Sequence, residues 1–473
     1  MNAFSKFVSS LKEKDDVQRS APFLCRTILI IIIAGVLIRL VLGFFMTFVY
    51  DMYHWGAVIQ NINSGNGLYG LTGYFYTPVW GYVLGIESFF QDLFGITNIG
   101  ERLTGALVMD SVPGYFTGTI TTIAFNMSVK LMFMISDLAV GYLIFWLIRD
   151  ITKDKRKAVV GFALWFLCPF VMTVGSVIAQ FDTIFVMMTL LSVILLRKDR
   201  YLESGVMLCM ATLMKFFSGF FIFIFIAYIL SKNKEREASK KVIVFIAGAA
   251  VTAFVLFLPQ LLDGTIADAF LFVTSRVNEG VGDSTAGAVG GYVALCVYVL
   301  AFIVSVVLAM RIKNNNDGER SDRLLFDSLL VTTAVMFLYP PLPQYVLLLF
   351  AFLIFAMLSD IRYRIPCALL IVGTTIVTVS GGPMDLAAVA AYTNIMDLSG
   401  LMDAVIACTS PFLGYSPMDL VAFIGYAIQY IGILTVLWLR FGERIKGIVQ
   451  RHAVRKSRHD DDGDTAVRQI IKP

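Results

Sequence analysis

An aspartate and a histidine stand directly after the first long apolar run of this 473-residue chain, in the segment "YDMYHWGAVIQNINSGNGLYGLTGYFYTPVW". A positioned carboxylate can remove a proton as a general base. If "DMYHWGAVIQNI" is a short helix, His54 lies one turn beyond Asp51 on the same face. Asp51 also follows the C-terminal end of an apolar helix, where the helix dipole disfavours negative charge. We therefore expect Asp51 to have a role other than capping.

The composition defines the medium in which these residues act. Hydrophobic residues make up 58% of the chain and charged residues 15%, and the mean hydropathy is +0.78. Soluble domains average about 45–50% apolar and about 25% charged residues. The chain is therefore predicted to be an integral membrane protein. Its six cysteines are scattered, with no C-x-x-C pair, which argues against a disulfide framework and a zinc site.

Twelve apolar stretches are candidates for membrane spans, each of which needs about 20 residues or fewer inside a bundle. They are roughly 27–49, 129–148, 158–176, 181–196, 202–214, 217–231, 242–260, 290–310, 324–339, 342–359, 365–381 and 418–439. Twelve crossings put both termini on one face, where all but five of the 38 lysines and arginines then lie. The positive-inside rule makes that face cytoplasmic. The predicted fold is all-α, with about 12 transmembrane helices.

The stretch 78–95 is predicted to lie along the outer interface, because it holds Glu87 and Asp92 and because a span there would turn a basic loop outward. The resulting organisation has four parts. They are a cytoplasmic tail 1–26, a transmembrane module 27–260 with a large outer loop 50–128 containing interfacial helices, a second module 261–440 with outer loops 261–289 and 382–417, and a cytoplasmic tail 441–473.

The basic residues away from the inner face are Arg39, Arg102, Lys130, Lys215 and Arg276. Charges within membrane spans are costly and are usually paired or functional. Binding an anionic phosphate near the outer surface would account for several of these cations at once. The alternative is that Arg102 is solvated and that Arg39 pairs with an acid such as Asp137. Asp182, at an outer helix start, is either a plain N-terminal cap or a site residue.

Several segments resemble the GT-C superfamily of glycosyltransferases, membrane enzymes that take a sugar from a polyprenyl-phosphate carrier. The first outer loop, with its aspartate, "GNGLY" and "YTPVW", is similar to theirs. "VKLMFMISDLAVGYLIFWLI" resembles their second span, which often carries a lysine and then an aspartate seven residues later. The next block has Cys168-Pro169 where the family tends to show N-P, and Ala179-Gln180 where it shows G-Q. The likeness covers about 27–230 and is strongest to GPI-type mannosyltransferases and their bacterial counterparts.

The resemblance implies transfer of a sugar, with mannose as the family-level expectation, from a polyprenyl phosphate to an extracytoplasmic glycan, lipid or protein. The family's aspartate in the first outer loop matches Asp51, which is then the general base of an inverting displacement. The expected substrate contacts are polar or charged residues on or near the outer face: His54, Lys130, Asp182, Lys215, Arg276, Gln344 and Tyr345. His54 could instead be an interfacial anchor, and Gln344-Tyr345 a plain outer turn. Tyr74, Tyr76 and Trp80 either stack on sugar rings or form an aromatic belt.

No P-loop or H-E-x-x-H signature is present, and D-x-D occurs only within the charged C-terminal tail, at 460–464, which argues against a soluble nucleotide-sugar donor. No cofactor is required, and a divalent metal is compatible with the sequence although no ligand cluster asks for one. The partners expected are the lipid-linked donor, the acceptor and membrane lipid, with no nucleic acid. Two rival functions are a transporter or flippase of a lipid-linked saccharide, disfavoured by the lack of an internal repeat, and a polysaccharide polymerase or ligase, which uses outer-loop arginine and histidine.

Overall fold

The computed structural model describes residues 21–69, 74, 76–96, 120–270, 285–315, 318–339, 341–380, 382–411 and 414–442, which are helical over most of their length. The first half of the chain forms helices α1 (Ala21–Phe45), α2 (Val49–Asn63), α3 (Pro78–Leu93), α4 (Ile123–Thr152), α5 (Lys155–Phe166), α6 (Pro169–Ser176), α7 (Asp182–Arg197), α8 (Tyr201–Met214), α9 (Ile222–Lys232) and α10 (Glu235–Asp263). A 3₁₀ helix, Phe216–Phe221, precedes α9.

The second half continues with α11 (Thr285–Lys313), α12 (Gly318–Met336), α13 (Val346–Ser359), α14 (Arg364–Val379), α15 (Ala387–Tyr392), α16 (Leu398–Thr409) and α17 (Pro417–Gly442). Two short 3₁₀ helices, Ile361–Tyr363 and Gly382–Leu386, precede α14 and α15. Helix α13 is apolar all round, and each residue from Val346 to Phe355 is buried. A helix without a polar face belongs inside a bundle, so α13 lies in the core.

Six described helices are long and apolar enough to cross a membrane: Arg26–Phe45, Ile123–Thr152, Glu235–Asp263, Gly291–Lys313, Ile361–Val379 and Pro417–Gly442. A seventh crossing is formed if α5 and α6, which meet at a bend of 48°, make one broken span. The bend has a direct cause, because Pro169 begins α6 and cannot continue the hydrogen bonding of α5. The protein is therefore an all-helical, multi-pass membrane protein, while the number of twelve crossings and the sidedness stay predictions.

Capping residues fix where several of these helices begin. The side chain of Thr122 accepts a hydrogen bond from the backbone N–H of Phe125 at the start of α4. The Asp154 carboxylate likewise accepts from Arg156 and Lys157 at the start of α5. Pro78 occupies the first position of α3, where its missing N–H costs nothing. Helix α3 carries an exposed apolar face that includes Ile86, Phe89 and Phe90, as expected for a helix lying at an interface.

Glycine lets some helices approach backbone to backbone, which favours helix association in lipid. A Cβ atom on Gly373 of α14 would lie 2.5 Å from the backbone nitrogen of Gln429 in α17. One on Gly425 of α17 would lie 2.9 Å from the carbonyl oxygen of Gly373. Any larger residue at either position would force α14 and α17 apart.

Helix α4 holds α1 through two buried charged residues, Lys130 and Asp137, two turns apart. The Arg39 Nε of α1 lies 3.0 Å from the Asp137 Oδ2, and both side chains are fully buried. The same guanidinium donates to the carbonyl of Phe166 at 2.7 Å and lies over its ring. Of the two interpretations of Arg39, pairing with Asp137 is therefore the one the structure contains.

Lys130 binds the C-terminal end of α1. Its ammonium donates to the carbonyl oxygens of Gly43 and Met46 at 2.9 and 2.7 Å and to the Thr47 hydroxyl at 2.6 Å. A cation at this position satisfies carbonyls that have no partner within the helix and complements the helix dipole. Lys130 thus fixes the point at which the chain leaves α1.

We expect Arg39→Met to lower the free energy of unfolding by about 3–5 kcal/mol, because it leaves the Asp137 carboxylate buried without a counter-charge. The matched control is Arg362→Ala, which breaks a pair whose arginine is 50% exposed and should cost about 0–1 kcal/mol. Thermal unfolding of purified protein in detergent micelles measures both. Equal stability of Arg39→Met and wild type would show that the pair has no stabilising role.

Candidate active site

Asp51 lies in the first turn of α2, only a few residues after the end of α1. This corrects one step of the sequence argument. Asp51 does follow a helix C-terminus, but α2 begins already at Val49, so the dipole of α2 favours its carboxylate. The backbone N–H of Phe48 donates to the carbonyl of Val177 at 3.0 Å, which ties the start of α2 to the turn after α6.

That turn supplies the hydrogen-bond partner of Asp51. The Gln180 side-chain amide donates to the Asp51 Oδ2. The preceding residue, Ala179, has a φ of 57°, in the left-handed region, and its carbonyl accepts a hydrogen bond from the Trp55 indole at 3.2 Å. The glycine of the family's G-Q pair would suit this conformation, which an alanine adopts only with strain. Here the contact with Trp55 on α2 holds Ala179, and hence Gln180, in place.

Lys215 ends α8 and lies among aromatic rings. Its ammonium is 4.5 Å from the ring centre of Phe181, 4.6 Å from that of Tyr345 and 5.7 Å from that of Tyr76. It also lies 3.6 Å from the Asp182 Oδ2. Lys215 is 8% exposed and Asp182 is fully buried, so the Asp182 carboxylate is a buried counter-charge for the Lys215 ammonium.

Asp51, Gln180 and Lys215 all line one cavity of about 630 Å³. Its lining residues are Phe48, Tyr50, Asp51, His54, Tyr76, Ile178, Gln180, Lys215, Leu342, Pro343, Gln344, Tyr345, Val377, Thr378, Ser380, Asp385, Ala422 and Tyr426. The lining comes from both predicted modules, 27–260 and 261–440, so the cavity lies where they meet. It holds one lysine and two aspartates, Lys215, Asp51 and Asp385.

The structure brings together five of the predicted site residues: Asp51, His54, Lys215, Gln344 and Tyr345. Two predicted site residues do not line the cavity. Asp182 contacts Lys215 from behind, and Lys130 binds the end of α1. Arg276 and Arg102 fall outside the described residues. Trp80 is fully buried and stacks on Phe181 at 4.5 Å, whereas Tyr76 does face the cavity. No group of three or more potential metal ligands occurs within the described part of the chain.

Gln180 and Asp385 are among the cavity residues that were not predicted as site residues. Gln180 was noted only as part of a family motif, although its amide contacts the candidate base. Asp385 lies in "GGPMDLAAVAAY", where it reads as an ordinary loop residue. Its one sequence signal is an acid followed by six apolar residues and a tyrosine, which is costly unless the acid faces a polar space.

The site changes the acidity of its titratable groups. Burial raises the pKa of Asp51 to about 7, and the Lys215 charge and the Gln180 hydrogen bond oppose this rise. Burial also raises the pKa of Asp385 to about 7, opposed by the charge of Lys130. The pKa of His54 is lowered by burial, which favours the neutral imidazole. Asp51 is therefore a carboxyl group with the acidity of a general base at neutral pH.

A membrane-embedded helical bundle with a carboxylate and an ammonium in one cavity defines the class to which comparison can be made. Residues 112–262 match the family model described as dolichyl-phosphate-mannose-protein mannosyltransferase. The match supports the GT-C glycosyltransferase superfamily and confirms the resemblance. It indicates a membrane glycosyltransferase of mannosyltransferase type. A comparison with curated proteins finds no significant match.

The matched region runs from before α4 to the end of α10. It contains the residues that hold α1, Lys130 and Asp137, and it contains Gln180 and Lys215 of the cavity. Asp51 and Asp385 lie outside it. The family match therefore bears on the cationic part of the cavity, while the case for the two carboxylates depends on geometry.

We expect Ala179→Gly to change the free energy of unfolding by less than about 0.5 kcal/mol, because relief of the left-handed strain offsets the lost methyl group and the added chain entropy. The control is Ala211→Gly, at a fully buried position inside α8, which should cost about 2 kcal/mol. Chemical or thermal unfolding in detergent compares them. Equal losses for the two variants would contradict the strained conformation of Ala179.

Proposed function

We propose that this protein is an inverting glycosyltransferase that moves a sugar, mannose, from a polyprenyl-phosphate carrier to a hydroxyl group of an extracytoplasmic acceptor. The observation that carries the proposal is the presence of Asp51 and Lys215 in the lining of one cavity. A transfer of this kind needs a base for the attacking hydroxyl and a cation for the departing phosphate. The family match supports the reaction class.

In the proposed reaction, the acceptor oxygen forms a bond to the anomeric carbon as the bond from that carbon to the phosphate oxygen breaks. The hydroxyl proton passes to the Asp51 carboxylate, and the electron pair of the broken bond leaves with the polyprenyl phosphate. One displacement inverts the anomeric configuration, and no covalent sugar–enzyme intermediate is needed. A single carboxylate is enough for this reaction. Asp51 can accept the proton on its Oδ1 atom, because Gln180 donates to the Oδ2 atom.

Lys215 is proposed to take up the charge that develops on the leaving phosphate. The ammonium is held between aromatic rings and Asp182, so little reorganisation is needed when that charge appears. Tyr345 and Gln344, at the start of α13, extend this wall of the cavity. His54, one turn from Asp51 and neutral at physiological pH, is proposed as an acceptor contact.

The site is proposed to face the outside of the cell membrane. Support comes from the charge distribution, which puts the basic loops on the opposite face. Three elements of the site lie at the predicted outer ends of the spans: helix α2, the turn at Gln180 and the start of α13. A lipid-linked donor can reach such a site from within the bilayer, so no soluble nucleotide sugar is required.

We expect Asp51→Asn to reduce turnover by about 10²–10⁴-fold, the usual range for loss of a general base, while donor binding stays within a few-fold of wild type. Purified protein is incubated with a panel of polyprenyl-phosphate sugars, and release of the polyprenyl phosphate and formation of a glycosidic bond are measured. The matched control is Asp92→Asn, an exposed acid on the outer helix α3.

Wild-type turnover in Asp51→Asn would remove Asp51 as the base. Movement of the intact lipid-linked sugar across vesicles without carrier release would instead identify a flippase. Transfer of a whole saccharide chain from the lipid to an acceptor would identify a polymerase or ligase.

The raised pKa of Asp51 predicts the pH dependence. The base must be deprotonated, so kcat/KM should fall by about tenfold per pH unit below a pKa of about 7 and level off above it. Gln180→Leu removes a donor that stabilises the carboxylate, so the rising limb should move to higher pH. The control is Gln60→Leu, at an exposed position on α2, the helix that carries Asp51. This variant should leave the rising limb of the pH profile in place. A limb that stays unchanged in Gln180→Leu would show that it does not report Asp51.

A further inference from the structure

A second carboxylate, that of Asp385, faces the same cavity as Asp51 but has no part in the proposed proton transfer. The residue is 2% exposed and lines the cavity. Among the described residues no hydrogen-bond donor contacts its side chain. Buried polar groups are nearly always hydrogen-bonded, so each exception calls for an explanation. A ligand in the cavity would supply the donors that the described residues do not.

The nearby cation does not use up this carboxylate. Lys130 is close enough to lower the pKa of Asp385, yet its ammonium already donates to the carbonyls of Gly43 and Met46 and to the Thr47 hydroxyl. An ammonium has three N–H donors, and all three have partners. Lys130 therefore supplies a compensating charge beneath Asp385 while the carboxylate oxygens stay available to the cavity.

The backbone holds Asp385 firmly in this position. The 3₁₀ helix Gly382–Leu386 begins at Gly382, whose φ of +64° favours glycine. The carbonyl of Asp385 accepts a hydrogen bond from the backbone N–H of Thr47, at the exit from α1. Neighbouring side chains, Met384 and Ala387, belong to one buried apolar cluster with Val49 of α2. The segment that carries Asp385 is thus joined to the segment that carries Asp51.

Two further lining residues, Thr378 and Ser380, lie shortly before Asp385 in the chain and offer hydrogen-bond acceptors. The Thr378 hydroxyl donates to the carbonyl of Thr375 at 2.9 Å, and the Ser380 hydroxyl donates to that of Val377 at 2.8 Å. Each hydroxyl donates to the backbone, and its oxygen keeps a lone pair with which to accept from a ligand. Together with the Asp385 carboxylate, these acceptors suit a ligand with several O–H donors better than they suit a phosphate. The ammonium that suits phosphate, Lys215, belongs to a different element.

We propose that Asp385, with the hydroxyl oxygens of Thr378 and Ser380, binds the acceptor through hydroxyl groups that do not react, and that the acceptor is a carbohydrate. The inference rests on the proposed function. A serine or threonine of a peptide would bring one hydroxyl to Asp51 and backbone N–H groups to Asp385, whereas a carbohydrate brings several hydroxyl groups to both. A sugar ring presents neighbouring hydroxyls, of which one can attack while others donate to Asp385. Asp385 is then a specificity-determining residue.

The test separates use of the donor from use of the acceptor. Purified wild type, Asp385→Asn and Asp385→Ala are supplied with polyprenyl-phosphate mannose. Carrier release is measured with no acceptor, with a panel of methyl glycosides and short oligosaccharides, and with a serine-containing peptide. Asp403→Asn, an exposed acid in the same outer segment, is the matched control. Unfolding temperatures verify that each variant folds.

We expect Asp385→Asn to raise the KM for the carbohydrate acceptor at least tenfold, and Asp385→Ala to raise it further, while slow carrier release to water stays within about twofold of wild type. Asp51→Asn should lose both activities. The Asp403→Asn control should match wild type in each assay.

Three results would overturn the inference. They are an unchanged acceptor KM in Asp385→Asn, an equal loss of carrier release to water and to the carbohydrate, and a wild-type preference for the peptide over every carbohydrate. If instead wild type releases no carrier from any polyprenyl-phosphate sugar, the proposed function itself has failed. The two failures are therefore distinguishable.

Discussion

The whole site depends on how α4 holds the end of α1. Lys130 binds the last carbonyls of α1, and two turns further along the same helix Asp137 binds Arg39. In lipid no water competes for these groups, so the contacts fix the position of α1 relative to α4. Because only three residues separate α1 from α2, fixing the end of α1 also fixes the direction of Asp51. A lysine and an aspartate seven residues apart thus act on the site from outside the cavity.

The cavity lining holds charged groups of both signs. Lys215, between Phe181 and Tyr345, forms the cationic part, and Asp385 with its neighbouring hydroxyl oxygens forms the anionic part. Asp51 completes the lining with a carboxylate held by Gln180. Such an arrangement suits a reaction between two partners of different polarity, one bearing a phosphate and the other bearing hydroxyl groups. The donor and the acceptor would each be oriented by the wall that complements it.

Much of the fold and part of the site could be predicted from the sequence. Long apolar stretches predicted helices at each of the twelve proposed spans, and a described helix overlaps each one. Asp51 and Lys215 could be proposed because ionisable residues are rare near apolar runs. Asp385 was missed because its neighbours resemble an ordinary outer loop, whereas the residues near it in the fold, such as Thr47 and Val49, are far away in sequence. Lys130 was predicted as a substrate contact because its partners, backbone carbonyls of α1, leave no trace in the residue types.

The glycine crossing between α14 and α17 has a mechanical consequence. With Gly373 and Gly425 in backbone contact, the two helices are locked side by side, so Thr378 on one and Tyr426 on the other travel together. Admission of a bulky molecule on that side would then require the two helices to move as one unit. The opposite side of the cavity is held differently, because hydrogen bonds from Trp55 to the Ala179 carbonyl and from Gln180 to Asp51 tie α2 to the turn after α6.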